Sequence, residues 1–328
     1  MVGSAAWVLQ RAWKSQRRTK KVRIAGLFVY PVKSCRGHSL SRAQLTKWGL
    51  QHDRRYMIVN EKYEFVTQRE LPRMVLIHPD LPTESGITLR TVALPSEELR
   101  GVAPTLFVPK LPESPGVSVT VKVWDDFVPA VDQGEEVSSW LCSFLEHKGL
   151  RLVRISDSAH RTTDPNFGTP GETGFADGFP ILVTSQASVE EVDEYVQSMG
   201  GPVIRTERFR PNLHIEGCKA FEEDEIDSLE FGEGSTLKLT LIKPCARCPI
   251  PGVDPQTGIR NPSTGGALMS SLRNFRTGVG LKGNARLHQK HFSKSGNASE
   301  VFFGQNAQIQ LEPGQEAFLT VGDVGTVL

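Results

Sequence analysis

Residues 117–123 read Val-Ser-Val-Thr-Val-Lys-Val, a strict alternation of apolar and polar side chains that suits a strand with one face buried. Further strand signals lie at Val22 to Tyr30, Tyr56 to Asn60, Met74 to His78, Leu237 to Lys243, Ala307 to Leu311 and Phe318 to Val321, with Pro- and Gly-rich turns between them. A helical period shows in three places. From Glu135 to His147, the side chains of Val137, Trp140, Leu141, Phe144 and Leu145 form one apolar stripe. A second helix is predicted to start at Ser188, capped by its hydroxyl with Glu191 reaching back, and to stop at Gly200-Gly201. A third runs from Ala267 to Phe275 through Leu268 and Leu272. The pattern predicts an α+β fold, predominantly β, built on barrels or strongly curved sheets.

Charge excludes some classes of partner. The formal net charge is +1 over 328 residues, so no overall field favours nucleic acid. The distribution is uneven: no Asp or Glu precedes Asp53, while Arg11, Lys14, Arg17, Arg18, Lys20, Lys21 and Arg23 crowd the start. With Trp7, Val8, Leu9 and Trp13, this basic stretch has the composition of an amphipathic targeting helix, of the flank of an anchor, or of a disordered basic tail. No run reaches the roughly 18 to 20 apolar residues that span a bilayer. Five cysteines, Cys35, Cys142, Cys218, Cys245 and Cys248, an odd number and widely spread except for the last pair, do not make a secreted disulfide framework and point to a reducing compartment. The Thr-, Pro- and Gly-rich loop from Asp157 to Glu172 is the expected hinge between halves, or a lid.

The chemistry-bearing segment is Cys245-Ala-Arg-Cys248, directly after a strand and before the turn-rich Pro249-Ile-Pro-Gly-Val-Asp-Pro-Gln-Thr-Gly258. A Cys-x-x-Cys spacing is compatible with half a zinc site, a redox pair, a single thiolate ligand with a bystander, or two cysteines that merely pack. Zinc lacks a second pair of Cys or His at the usual ligand spacing in this sequence, and Pro249 and Pro251 argue against a helix that would lower a thiol's pKa. Basic residues at turn-like positions, Lys33, Arg54, Arg55, Arg69, Arg210 and Arg247, together with Ser34, suit a phosphorylated, acceptor-rich ligand. Asp177 is the best-placed carboxylate. Dinucleotide, Walker, serine-hydrolase and His-Glu-x-x-His motifs are missing.

Six ordered motifs resemble one family. They are Tyr30-Pro-Val-Lys-Ser-Cys35, Asp53-Arg-Arg-Tyr56, Thr67-Gln-Arg69, Phe175-Ala-Asp-Gly-Phe-Pro180, Phe209-Arg-Pro-Asn212, and Cys245-Ala-Arg-Cys-Pro249 continuing into Val253-Asp-Pro-Gln-Thr-Gly258. In order and spacing they resemble MOSC-domain proteins with the N-terminal MOSC β-barrel, and among those the amidoxime-reducing components of mitochondria and their bacterial relatives. The resemblance implies a tail over residues 1–21, an N-terminal β-barrel domain over 22–150 and an intertwined MOSC domain over 151–328. It implies a molybdenum-molybdopterin cofactor with Cys248 as metal ligand, and Lys33, Ser34, Arg54 and Arg210 on its phosphate and pterin. Arg69 and Asn212 match motif positions beside these, and Asp177 falls near the metal as a general acid or an orienting group.

The activity so implied is reduction of N-hydroxylated bases such as amidoximes to amidines or amines. Electrons would come from NADH through cytochrome b5 reductase and cytochrome b5, since the sequence holds no flavin, haem or nicotinamide motif. The implied protein is a monomer on the mitochondrial outer membrane facing the cytosol, or cytosolic if the tail is no anchor. The alternative is a cofactor carrier or sulfur-handling module. Pyridoxal phosphate binding is a further association of the family, though no lysine-bearing motif for it is apparent. Against the mitochondrial proteins this chain shows two departures, Ala176-Asp-Gly-Phe-Pro180 around the aspartate and Ala246 between the cysteines.

Overall fold

The structure, a computed structural model, describes residues 20–92, 102–113, 117–232, 237–260, 264–279, 281, 299–312 and 314–328. The expected anchor or targeting helix before Lys20 lies outside these residues. No described helix is long and apolar enough to cross a membrane.

The strand Lys21–Val29 buries Val22, Ile24, Leu27 and Val29, and a register shift between Ile24 and Gly26 keeps both pairs inside. It pairs antiparallel with Leu213–Glu216 on one side and Val324–Val327 on the other. The ring continues through Ile181–Ser185, Phe302–Ile309, Leu237–Ala246 and Ser228–Phe231 back to Val324–Val327, closing a seven-stranded barrel. Closure leaves the ring without an unpaired edge, and its centre is filled by aliphatic side chains including Leu27, Val183, Ile215, Leu239 and Leu241. Six of its strands come from after residue 180 and one from the start of the chain, so the two halves are intertwined as expected.

The other half is also mainly β. Tyr56–Val59, Arg151–Ile155, Asp126–Asp132 and Ser118–Val123 form a four-stranded sheet, and Ile77–Pro79, Gly86–Thr91 and Thr105–Pro109 a three-stranded one. The helix Glu135–Leu145 packs its predicted stripe, Val137, Trp140, Leu141, Phe144 and Leu145, into their common core. The fold is thus predominantly β with three α-helices among the described residues.

Local expectations need correction where a neighbour competes for the same backbone. The segment Met74 to His78 is not one strand: Pro72 fixes a helical φ, and Pro72–Leu76 turns as a 3-10 helix before Ile77–Pro79 extends. The second helix spans Gln186–Ser198, and its cap is Ser185, not Ser188. Ser185 is the extended last residue of a barrel strand, and its Oγ accepts from the Ser188 amide at 3.2 Å, while Glu191 stays exposed. Gly200, at φ 76°, ends the helix as predicted. The third helix begins earlier than expected, spanning Thr264–Phe275.

Candidate functional site

Between the barrel and the N-terminal sheets lies a cleft of about 420 Å³ whose walls include Lys33, Ser34, Arg54, Arg69, Asp177, Arg210, Asn212, Cys245, Arg247 and Cys248. The residues that the family resemblance assigns to a cofactor therefore meet in one place. Arg55 does not; its guanidinium stacks on Trp48, 3.5 Å from the ring, away from the cleft. Nor does any residue of the loop Asp157 to Glu172 line the cleft. Glu172 anchors that loop to the Trp48 indole N–H at 3.1 Å and to Lys47 at 2.9 Å.

The thiols arrive on the strand Leu237–Ala246. Its pairing with Phe302–Ile309 slips between Pro244 and Ala246, where Pro244 has no N–H to give the ladder. Cys245 sits in this bulge, and its sulfur accepts from Arg247 Nη1 at 3.2 Å. Cys248 follows on the open loop, half-buried, before the 3-10 turn Ile250–Gly252. No α-helix starts at the pair, and among the described residues no three His, Cys, Asp or Glu side chains form a metal-binding group. Among the described residues, the redox-helix and zinc readings lack what they need. The loop beyond is held in place: Arg208 reaches Asp254 Oδ2 at 2.8 Å and the Pro251 and Val253 carbonyls, and Arg260 donates to the carbonyls of Gln68 and Arg69 at 3.0 Å.

The cations are held from behind. Arg54 donates to Asp53 at 2.6 Å, to Asn212 Oδ1 at 3.0 Å and to the Arg210 carbonyl at 3.2 Å. The guanidinium groups of Arg54 and Arg210 both stack on the Tyr30 ring, 4.4 and 4.2 Å from its centroid, and burial pushes its phenol up to about 12. Arg210 donates to the Cys35 carbonyl at 2.8 Å. Ser34, Arg54 and Arg210 adopt φ of 66°, 45° and 58°, the left-handed region that costs a residue with a side chain roughly 1–2 kcal/mol. Such strain persists only where the surroundings impose it, and with Trp124, at φ 57°, it falls on four residues of one cleft.

Lys33 is 5% exposed, yet its Nζ makes two bonds, to the Phe175 carbonyl at 2.8 Å and Asp177 Oδ1 at 2.5 Å. Asp177 is crowded by protein, although 66% of its side chain opens into the cleft. That crowding would raise its pKa. The charges of Lys33 and Arg54 and the bonds from Lys33 and Trp124 outweigh it, holding the carboxyl far below the usual range. Asp177 is therefore ionised at neutral pH.

Two residues escaped the sequence reading. Arg161, nearly fully buried, donates to the carbonyls of Gly174, Ala176 and Asp177 and so shapes the loop that presents the carboxylate. Trp124 donates its indole N–H to Asp177 Oδ1 at 3.3 Å. Neither stands in a motif; a long-range buried arginine and a turn tryptophan carry no local signal.

The donor set has unfilled places. Arg210 Nη2 and Arg247 Nε are buried at the cleft and bond to nothing among the described residues. A buried guanidinium N–H without an acceptor is costly, and an anionic, acceptor-rich group in the cleft would satisfy both.

Residues 21–148 match the MOSC N-terminal beta barrel domain, and residues 170–324 the MOSC domain. The chain belongs to the MOSC-domain family. It is 30% identical over 266 residues to "Mitochondrial amidoxime-reducing component 1" of Mus musculus, covering 79% of this chain and 73% of that one. With component 1 of Homo sapiens it is 31% identical over 270 residues, covering 79% and 74%. With "Mitochondrial amidoxime reducing component 2" of Homo sapiens it is 30% identical over 272 residues, with the same coverage. Nothing in these matches supports pyridoxal phosphate binding.

Proposed function

We propose that this chain reduces N-hydroxylated bases, such as amidoximes, to amidines or amines with a molybdenum-molybdopterin cofactor bound in the cleft. The observation that carries this reading is the pair of unpaired buried donors, Arg210 Nη2 and Arg247 Nε, beside Cys248. In it, Arg54, Arg210, Lys33 and Ser34 hold the cofactor's phosphate and pterin, with Arg69 and Asn212 adjoining. Cys248 supplies the thiolate ligand, and Cys245, bonded to Arg247, supports it. When bound, the cofactor supplies two-electron reduction of an N–O bond. Asp177, held ionised by Lys33, acts as an orienting acceptor for the substrate's N–H groups; a carboxylate so far below its usual pKa is a poor acid.

The proposed boundaries are a tail over 1–21 and domains over 22–150 and 151–328. Electrons come from NADH through cytochrome b5 reductase and cytochrome b5, and the protein acts as a monomer at the mitochondrial outer membrane, facing the cytosol. The names of the mitochondrial relatives support the compartment. Two measurements test the reading together: molybdenum by elemental analysis, expected near one atom per chain, and benzamidoxime reduction with the reconstituted electron chain. Bound molybdenum without turnover would assign the protein to cofactor carriage or sulfur handling instead. Absence of molybdenum from protein expressed with cofactor supply would overturn both.

A further inference from the structure

A second groove of about 550 Å³ adjoins the cleft, lined by Asn60, Glu64, Phe65, Lys122 and others, and the reading above leaves it unused. Arg69 and Trp124 line both spaces, so they form the wall between them. Trp124 occupies the turn between Ser118–Val123 and Asp126–Asp132 at φ 57°. Asn, Asp or Gly fills such a position readily; a tryptophan there is strained by roughly 1–2 kcal/mol. The strain places a large aromatic face at the mouth of the cleft, 43% exposed.

The surroundings of that face define what it can hold. The Arg69 guanidinium stands 4.7 Å over the indole, so the ring already accepts one planar cation. Phe65 supports it from another side, with centroids 5.0 Å apart. Both side-chain bonds to Asp177, from Lys33 and Trp124, land on Oδ1, and Oδ2 receives none from the described residues. An aromatic face beside a carboxylate oxygen with a free acceptor site is complementary to a planar aryl group carrying an N–H-bearing, basic nitrogen.

We propose that Trp124 is a specificity-determining residue: its indole holds the ring of an aryl nitrogen base at the cleft mouth while Asp177 Oδ2 accepts from the base's N–H. This rests on the reductase reading for the reaction that follows, but the recognition is a property of this chain's own residues. It separates aryl substrates from aliphatic ones, which would present the same N–H without a ring.

The test uses the molybdenum-loaded protein and two variants. Trp124→Asn removes the ring and suits the left-handed turn, so folding is favoured; Trp124→Phe keeps a ring and loses the N–H. Benzamidine binding is followed by calorimetry, and KM is measured for benzamidoxime and for an aliphatic N-hydroxylated base. In Trp124→Asn, benzamidine binding weakens and the benzamidoxime KM rises by about tenfold, the size of a desolvated aromatic contact. The aliphatic KM moves only as far in Trp124→Asn as it does in Trp124→Phe, the share owed to losing the N–H on Asp177, since that substrate makes no ring contact, and molybdenum content is unchanged. Trp124→Phe keeps most of the aryl preference. Equal KM changes for both substrates, or none, overturn the proposal while leaving the reductase reading intact. Benzamidine binding that depends on Trp124 in a protein that reduces neither substrate sinks the reductase reading and leaves the recognition standing.

Discussion

Two clusters of charge differ in how far they are closed. Under the helix Gln186–Ser198, Arg276 pairs with Asp224 at 2.8 Å, Gln305 donates to Asp224 at 2.6 Å, and Ser185 and Ser188 donate to Glu223 at 2.9 and 2.7 Å. At the cleft, Lys33, Arg54 and Arg210 face Asp53 and Asp177, and there the Asp177 side chain is 66% exposed, whereas Glu223, Asp224 and Arg276 are all buried. Left-handed backbone does not separate them, since Phe221, beside the first cluster, has φ 61°. Unpaired donors do. The first cluster ties its charges to one another and to the barrel, whereas the second leaves Arg210 Nη2 and Arg247 Nε without an acceptor. A closed network stabilises a fold; an open one stands ready for a ligand.

The largest break in this comparison is expected at Cys248. Cys248→Ala removes the proposed metal ligand from an open loop, so benzamidoxime turnover falls to background while thermal unfolding shifts by no more than about 2 °C. Turnover retained with bound molybdenum would remove Cys248 from its role. Arg210→Ala comes next. It deletes an open donor, and molybdenum content of the purified protein should fall several-fold with circular dichroism unchanged; full occupancy would show that the unpaired Nη2 is not a ligand position.

The contrast also explains what could be read from the sequence. The cleft residues stand in short local motifs, because turns at Ser34, Arg54 and Arg210 present side chain and backbone together, and these were legible. The stripe of Glu135–Leu145 and the alternation of Ser118–Val123 were legible for the same reason, as local periodicity. Arg161, Trp124 and the Glu223 cluster were not. Arg161 acts on carbonyls 13 to 16 residues away, and Gln305 meets Asp224 across 81. Barrel closure by Lys21–Val29 is likewise a long-range pairing that no local pattern encodes; only the family resemblance anticipated it. The helix cap is Ser185 and not Ser188 because the backbone is already helical from Gln186, which puts Ser188 inside the first turn, where its amide is the group that Ser185 Oγ accepts from.

At the closed cluster, Asp224→Asn should destabilise without touching the cofactor. It leaves Arg276, 3% exposed, without its ion-pair partner, and removing one member of a buried pair costs about 3–5 kcal/mol. Urea unfolding would show this as a lower midpoint at unchanged slope, with molybdenum per folded chain as in the wild type. A loss of molybdenum from folded protein would mean that the two clusters are coupled.

The smallest effect sharpens the comparison through pH. Burial, with the neighbouring Asp224 charge adding, pushes Glu223 up to about 7 despite the hydroxyl bonds that favour its ionised form. Its folded pKa lies above the unfolded one, so between about pH 4.5 and 7 the folded state binds the extra proton. The stabilisation is present in full below the unfolded pKa and is lost as pH rises through the folded one, with a slope of at most about 1.4 kcal/mol per pH unit. Glu223→Gln keeps an acceptor for Ser185 and Ser188 and removes the titration, so its stability should be flatter than the wild type's from pH 5 to 8. Asp177 has the opposite sign: its carboxyl is held low, so its contribution is kept above the unfolded pKa and fades only in acid. A difference curve between Glu223→Gln and wild type that does not slope across pH 5 to 8 would remove Glu223 as the titrating group of the closed cluster.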